Sequence, residues 1–319
     1  HGLQLAEQDK RKMAIRLYAA GTGMDKDAIA TTLSVSTRSI SGYLSDVDKQ
    51  LREERKERIF AMWLACKTQD EIAESISVDQ KTVANQIALL GNTEELPNIL
   101  KVMALHQDAD FTPPLYNVWT FHKKTNAVTH FGNSEQAILD NLLYLYTEPF
   151  DIVVDPFAGG GATIDVCKRR LRRYWVGDRK PIVERENEIR KHDLVIDGAP
   201  SLNRNWSDVS LTYLDPPYWK QAEGQYSNDL TDLANMPLEQ FTETLAGIVK
   251  NIAGRQSHGA IALLIQPTQW KSDNRQFADH VTDLVRKVGN GKLILENRVS
   301  VPYATEQYNA QQVEWAKAN

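Results

Sequence analysis

Residues 150–163 read FDIVVDPFAGGGAT, and the fold follows from how that stretch is understood. Ile152, Val153 and Val154 are a short run of β-formers of the kind that builds a buried strand. The run closes on Asp155, then spends a proline and three consecutive glycines, Gly159, Gly160 and Gly161. Glycines between a strand and a helix permit a tight turn and let a ligand approach the backbone with no Cβ in the way. The next residues, GATIDVCKRRL, have helical periodicity and lead to a second strand run, YWVGD, ending on Asp178. A third run, VSLTYLD, ends on Asp215, sixty residues after Asp155, and is followed by PPYW.

Working outward, strand and helix signals keep alternating. A helix at SEQAILDNLLYLYT precedes the first strand. After Asp215 come a helix at PLEQFTETLAGIVKNIA, a strand at GAIALLIQ, a helix at FADHVTDLVRKV and a strand at KLILENRVSV. Such alternation with short connections predicts an α/β fold: a doubly wound, Rossmann-like, mostly parallel sheet covered on both faces. The ending EQYNAQQVEWAKAN reads as helical.

The first hundred residues differ. DAIATTLSVSTRSISGYL (27–44) aligns with DEIAESISVDQKTVANQI (70–87) at an offset of 43 residues. Each copy reads as a helix, a turn at Ser-Val and a second helix, the helix-turn-helix pattern. A helical linker or dimerisation bundle is the plainer reading of one copy; two in register favour the motif. Arg38 in the first copy and Lys81, Asn85 and Gln86 in the second are the candidate DNA contacts, because Arg, Asn and Gln can read base edges while Lys holds phosphates. The alternating charges from Asp46 to Arg58 read as a solvated helix face. Prolines and polar residues break the periodicity near residue 95. The expected organisation is an all-α DNA-binding region over 1–95 and a catalytic domain over 96–319.

Composition narrows the class. The 319 residues carry a net charge of −5, which excludes a general polycation and leaves any nucleic-acid contact to local basic patches. Two cysteines, Cys66 and Cys167, make neither a disulfide framework nor a zinc pattern, and no metal is expected. No signal peptide and no apolar stretch near membrane length is found, so a cytoplasmic, nucleoid-associated protein is expected. The chain opens on His1, which fits a processed piece or the ordered part of something longer. A homodimer is admitted by the sequence without being indicated by it.

In a doubly wound sheet, ligands bind beyond the carboxyl ends of the strands. Three acids at those ends, with no Lys-Ser/Thr of a phosphate loop, favour an uncharged or cationic nucleoside over a phosphate. DPFAGGGAT resembles the S-adenosylmethionine motif of amino-group DNA methyltransferases, and DPPY resembles their catalytic motif; the resemblance covers about residues 112–305. It implies cofactor binding by Asp155, Pro156, Phe157, Ala158, Gly159, Gly161, Asp178 and Asp193, with Asp197 an alternative to Asp193. It implies catalysis by Asp215, Pro216, Pro217 and Tyr218 on double-stranded DNA, with S-adenosylhomocysteine as the other product. The first residues, HGLQLAEQDKRKMAIRLYAAG, resemble the segment that follows a ParB-like domain in some DNA methylases. The glycine turn precedes DPPY here, whereas many relatives have the reverse order.

Adenine's 6-amino group is the leading target. The 4-amino group of cytosine and a DNA-binding regulator with an inactive methyltransferase fold are the alternatives. Ring-carbon methylation is disfavoured because neither cysteine follows a proline. Trp219 and Tyr226, in the polar loop after DPPY, are candidate contacts to a flipped base. The basic run KRRLRR (168–173), with Arg179 and Lys180, reads either as a phosphate patch or as charge complementing a helix C-terminus.

Overall fold

The computed structural model describes residues 6–19, 23–121, 134–202, 204–269, 277–289 and 293–302. Among the described residues eight α-helices precede the first strand, and the first seven are α1 (Glu7–Ala19), α2 (Lys26–Leu33), α3 (Thr37–Tyr43), α4 (Ser45–Leu64), α5 (Gln69–Ile76), α6 (Gln80–Leu90) and α7 (Asn98–Ala104). The 43-residue repeat recurs bond for bond. Helix α2 stops at Ser34 and α5 at Ser77, both left-handed at φ of 50° and 55°. The next amide closes each turn, Val35 donating to the Ala30 carbonyl and Val78 to that of Ala73, both at 3.0 Å. Side chains of Ser36 and Asp79 then cap α3 and α6, accepting from Ser39 and Thr82.

A five-stranded parallel sheet follows, in the order β3-β2-β1-β4-β5. Its strands are β1 (Ile152–Asp155), β2 (Arg173–Asp178), β3 (Arg190–Lys191), β4 (Val209–Leu214) and β5 (Ala260–Leu263). Every pair in it is parallel. The chain therefore winds outward from β1 in one direction through β2 and β3, and in the other through β4 and β5. The crossovers are α9 (Ala162–Arg169) and α11 (Leu238–Arg255), with the short α10 (Leu194–Asp197) between β3 and β4 and α8 (Gln136–Tyr146) before β1. Helix α12 (His280–Val288) packs beside α11.

Two sequence expectations near the end fail. KLILENRVSV is not a sheet strand. Its described residues make one isolated bridge, Ser300 to Val118, and Ile294 is left 88% exposed, because the run does not reach the edge of β5. The helix expected from Phe277 begins at His280, since Phe277–Ala278 (β7) pairs antiparallel with Thr268–Gln269 (β6). The helical reading of residues 306–319 lies outside the described residues.

The main hydrophobic core crosses residue 95. Ile59, Trp63, Leu64, Ile72 and Val83 of α4, α5 and α6 share one cluster with Leu143, Val153, Ile164, Tyr174 and Leu211. The first helix pair has a core of its own, built on Ala14, Ile29, Leu33, Ile40 and Leu44.

Much of the basic run lies inside this junction, which corrects its reading as a phosphate patch. Arg170 is 2% exposed and donates from Nε and Nη2 to Asp140, at 2.7 and 2.9 Å, and from Nη1 to the Met103 carbonyl. It also pairs with Asp108. Arg172, equally buried, donates to the carbonyls of Ala104 and Thr147. These two guanidiniums satisfy the C-terminal carbonyls of α7, groups that a helix end leaves open, and so pin the helical segment to the sheet.

Candidate active site

Register puts three acids at one end of the sheet. Asp155 pairs with Val176, so Asp178 stands two residues further along β2. Val154 pairs with Thr212, so Asp215 stands just past the end of β4, also beyond the level of Asp155. Strand order makes β4 and β2 the two neighbours of β1, and the acids face the same space between diverging crossovers.

The glycine turn is shaped by the first two acids. Asp155 is 2% exposed; its carboxylate accepts the Phe157 amide at 2.9 Å and the Thr163 hydroxyl at 2.5 Å. Asp178 accepts the Gly159 amide at 2.9 Å and that of Lys180 at 2.8 Å. Gly161 takes φ of +80° as α9 begins, and a Cβ there would lie 2.8 Å from Arg185 Cδ. Arg185 in turn donates to the Gly161 carbonyl and, bidentately, to Asp165. The result is a backbone cradle whose acid side chains hold its form. Pro156 and Ala158 are buried within it, and Phe157 is half-buried.

Asp215 stands opposite. The Ser134 hydroxyl donates to its Oδ2 at 2.5 Å, and the Tyr218 hydroxyl also bonds it. Tyr213, enclosed on β4, hydrogen-bonds Ser134 too. Burial pushes the Asp215 carboxyl up to about 7 against the pull of the two hydroxyls. Asp155 also rises to about 7, first from burial and further from the charges of Asp215 and Asp178. Half-buried Tyr226 feels both Asp215 and Asp178, and its hydroxyl is pushed up to about 12, chiefly by burial. Tyr226 therefore belongs to this pocket. Pro216 is buried and Pro217 half-buried beside it.

Trp219 and the candidate DNA contacts lie outside this pocket. Trp219 is 1% exposed and packs with Leu233, Met236 and Phe241, its indole N–H donating to the Met236 carbonyl at 2.9 Å. That corrects its reading as a base contact: the loop folds back over it and makes it an anchor. Asp193 caps α10 through the amides of Val195 and Ile196 and pairs with Arg179 at 3.1 Å. Arg38, Lys81 and Asn85 are exposed on α3 and α6, and Gln86 is half-exposed, all far along the chain from the pocket. Ser134 was not among the expected site residues. Its only signal in the sequence is a small hydroxyl residue just ahead of a helix, which reads as a cap.

The sequence model of a family described as DNA methylase matches residues 30–184. No curated protein and no solved structure matches the chain. The family match spans β1, the glycine turn and β2, and it supports a DNA methyltransferase acting on the amino group of adenine or cytosine. S-adenosylmethionine as donor is implied by that family. The residues present suit such a molecule: the cradle admits close backbone approach, and carboxylates around it favour a sulfonium cation. Among the described residues no cluster of three or more His, Cys, Asp or Glu is placed to hold a metal, and no helix is long and apolar enough to cross a membrane.

Proposed function

We propose that this chain methylates the exocyclic 6-amino group of adenine in double-stranded DNA, with the base turned out of the duplex. The observation that carries the reading is Asp215, at the end of β4, sharing a pocket with the glycine cradle of β1 and with Asp178. A bound S-adenosylmethionine supplies an electrophilic methyl group on sulfur. An adenine amine is a poor nucleophile because its lone pair is delocalised into the ring. The Asp215 carboxylate and the Pro216 carbonyl each accept one N–H, which stabilises positive charge developing on nitrogen. Two successive prolines fix φ and keep that carbonyl aimed. With its affinity for protons raised to near neutrality, Asp215 is suited to take the proton that the amine gives up as the new N–C bond forms. Tyr218 and Tyr226 provide rings beside the acid against which an extruded base can rest.

In this reading residues 1–95 bind DNA and residues 96–319 perform the transfer. Arg38, Lys81, Asn85 and Gln86 face the duplex, and Asp155, Phe157, Gly159, Gly161, Asp178 and Asp193 shape or line the donor site. The test is methyl-labelled donor with unmodified duplex DNA, digested to nucleosides. The expected label is in 6-methyladenine. It is lost in Asp215→Ala while calorimetric donor binding persists. Label in 4-methylcytosine would reassign the base; donor binding without any transfer would leave a DNA-binding regulator.

A further inference from the structure

The two buried arginines at the α7 junction have all the partners they need, and three others nearby do not. Residues alternate along β2: Tyr174 and Val176 enter the main core, while Arg173 and Trp175 face the other way. On β3, Arg190 lies level with Gly177. Gly177 leaves the space that the Trp175 ring fills, since a Cβ there would come within 2.7 Å of Cη2. The Arg190 guanidinium lies over that ring, 5.4 Å from its centroid. Beside the pair opens a cavity of about 390 Å³, lined by Trp175, Arg190, Lys191, His192 and Asp197, with Ala199 and Ser201. Asp197 is its single carboxylate; it accepts the Asp193 amide and lies 3.8 Å from His192.

Cations outnumber acids in the surroundings, although Glu71 acts on Arg190 and Asp208 on Arg173. Arg204 lies near enough to Arg173 to disfavour its charge, and both act on Cys66 together with Arg190. Arg173 Nη2 and Arg204 Nε are buried with no hydrogen-bond partner. Among the described residues, Arg173, Arg190, Lys191 and Arg204 form no ion pair. Burial lowers Arg173 and Arg190 from the usual guanidinium range, so this face holds its cations at a cost. An arriving anion removes that cost. A planar guanidinium braced on an indole presents its N–H fork to phosphate oxygens.

We infer that the cavity between β3 and α10 takes a phosphate group, and specifically a phosphodiester of the DNA backbone held by the adjoining second helix pair. Its source rests on the DNA-methyltransferase reading; the site itself rests on the cavity, the Arg190 and Lys191 that line it, and the further unpaired arginines, Arg173 and Arg204, that lie close by. Glu71 of α5, and Cys66 just ahead of that helix, lie within electrostatic reach of Arg190.

The experiment uses the full chain with Lys191→Gln and, separately, Arg190→Gln. Lys191 is exposed, so its variant keeps the test valid if loss of Arg190 disturbs folding. Affinity for a labelled duplex is measured by anisotropy across a salt series, donor affinity by calorimetry, and pyrophosphate binding by thermal shift. The expected result is roughly tenfold weaker DNA binding at moderate salt for each variant. The slope of log affinity against log salt should shrink by about one, with donor affinity unchanged. If DNA binding is unaltered but pyrophosphate stabilises the parent and neither variant, the phosphate site stands and its DNA source is overturned. If the parent binds pyrophosphate and no duplex at all, the functional reading fails and the site survives. No effect in either assay overturns the inference.

Discussion

The pH dependence of methyl transfer tests the role of Asp215 most directly. Its carboxyl sits near 7 in the folded protein, against 3.8 for an ordinary aspartate, because burial outweighs two hydroxyl hydrogen bonds. Only the ionised form can both stabilise positive charge on the amine and take its proton. About half the molecules are competent at pH 7 and roughly a tenth at pH 6, so kcat/KM should fall about fivefold between them, about tenfold per unit below pH 6, and level off above about pH 8. Ser134 holds the ionised form through a 2.5 Å bond to Oδ2. A hydrogen bond to a charged acceptor contributes about 1.5 kcal/mol, or roughly one pKa unit. Ser134→Ala should therefore move the midpoint up toward 8. The variant is then about fivefold slower at pH 7 and equal to the parent near pH 9. Ser134→Thr, which keeps a hydroxyl, should restore the original midpoint. The assay is label transfer at subsaturating DNA, since kcat/KM reports the free enzyme. A flat profile from pH 5.5 to 8.5 refutes the reasoning. So does a Ser134→Ala defect of constant size at every pH.

Stability of the donor-free protein should run the other way with pH. Asp155 and Asp215 bind protons more tightly folded than unfolded, so their contribution is complete below about pH 4 and lost as pH rises through about 7. Asp155→Asn, which need not ionise, should be more stable than the parent in urea at pH 8 but not at pH 5. Replacing Arg170 by Met leaves Asp108 without its ion pair and Asp140 with Arg169 and His106 alone, and should cost about 3 kcal/mol, read from the denaturant midpoint. Gly161→Ala forces a left-handed backbone on alanine and pushes its Cβ to 2.8 Å from Arg185. It should destabilise by about 1–2 kcal/mol and weaken donor binding in calorimetry while duplex affinity holds.

What could be read in the sequence was what depends on near neighbours. The strand, glycine turn and helix from Ile152 to Arg169 are dictated by residues a few positions apart, and so are the serine turns at Ser34 and Ser77. The acids at the strand ends were visible for the same reason. Ser134 was not, because its partner is 81 residues away. Trp219 looked like a surface aromatic after two prolines; only the return of the chain to Met236 encloses it. The arginines after α9 have the spacing of a phosphate patch. Their partners come from α7 and α8, which no periodicity connects to them. The run at 293–302 has strand composition, but composition does not say whether a sheet edge is within reach.

The continuous core across residue 95, bolted by Arg170 and Arg172, bears on how a target would be chosen. With α5 and α6 welded to the sheet, any base they touch stands at a set separation from the pocket at Asp215, like a gauge with one fixed jaw. The first pair sits at the far end of α4, a rod of 20 residues and about 30 Å, with a core of its own. Arg11, Tyr18 and Lys26 tie it to Asp46 and Asp48 of that rod. A recognition site read this way would place both contacts at intervals set by α4, a ruler as well as a clamp.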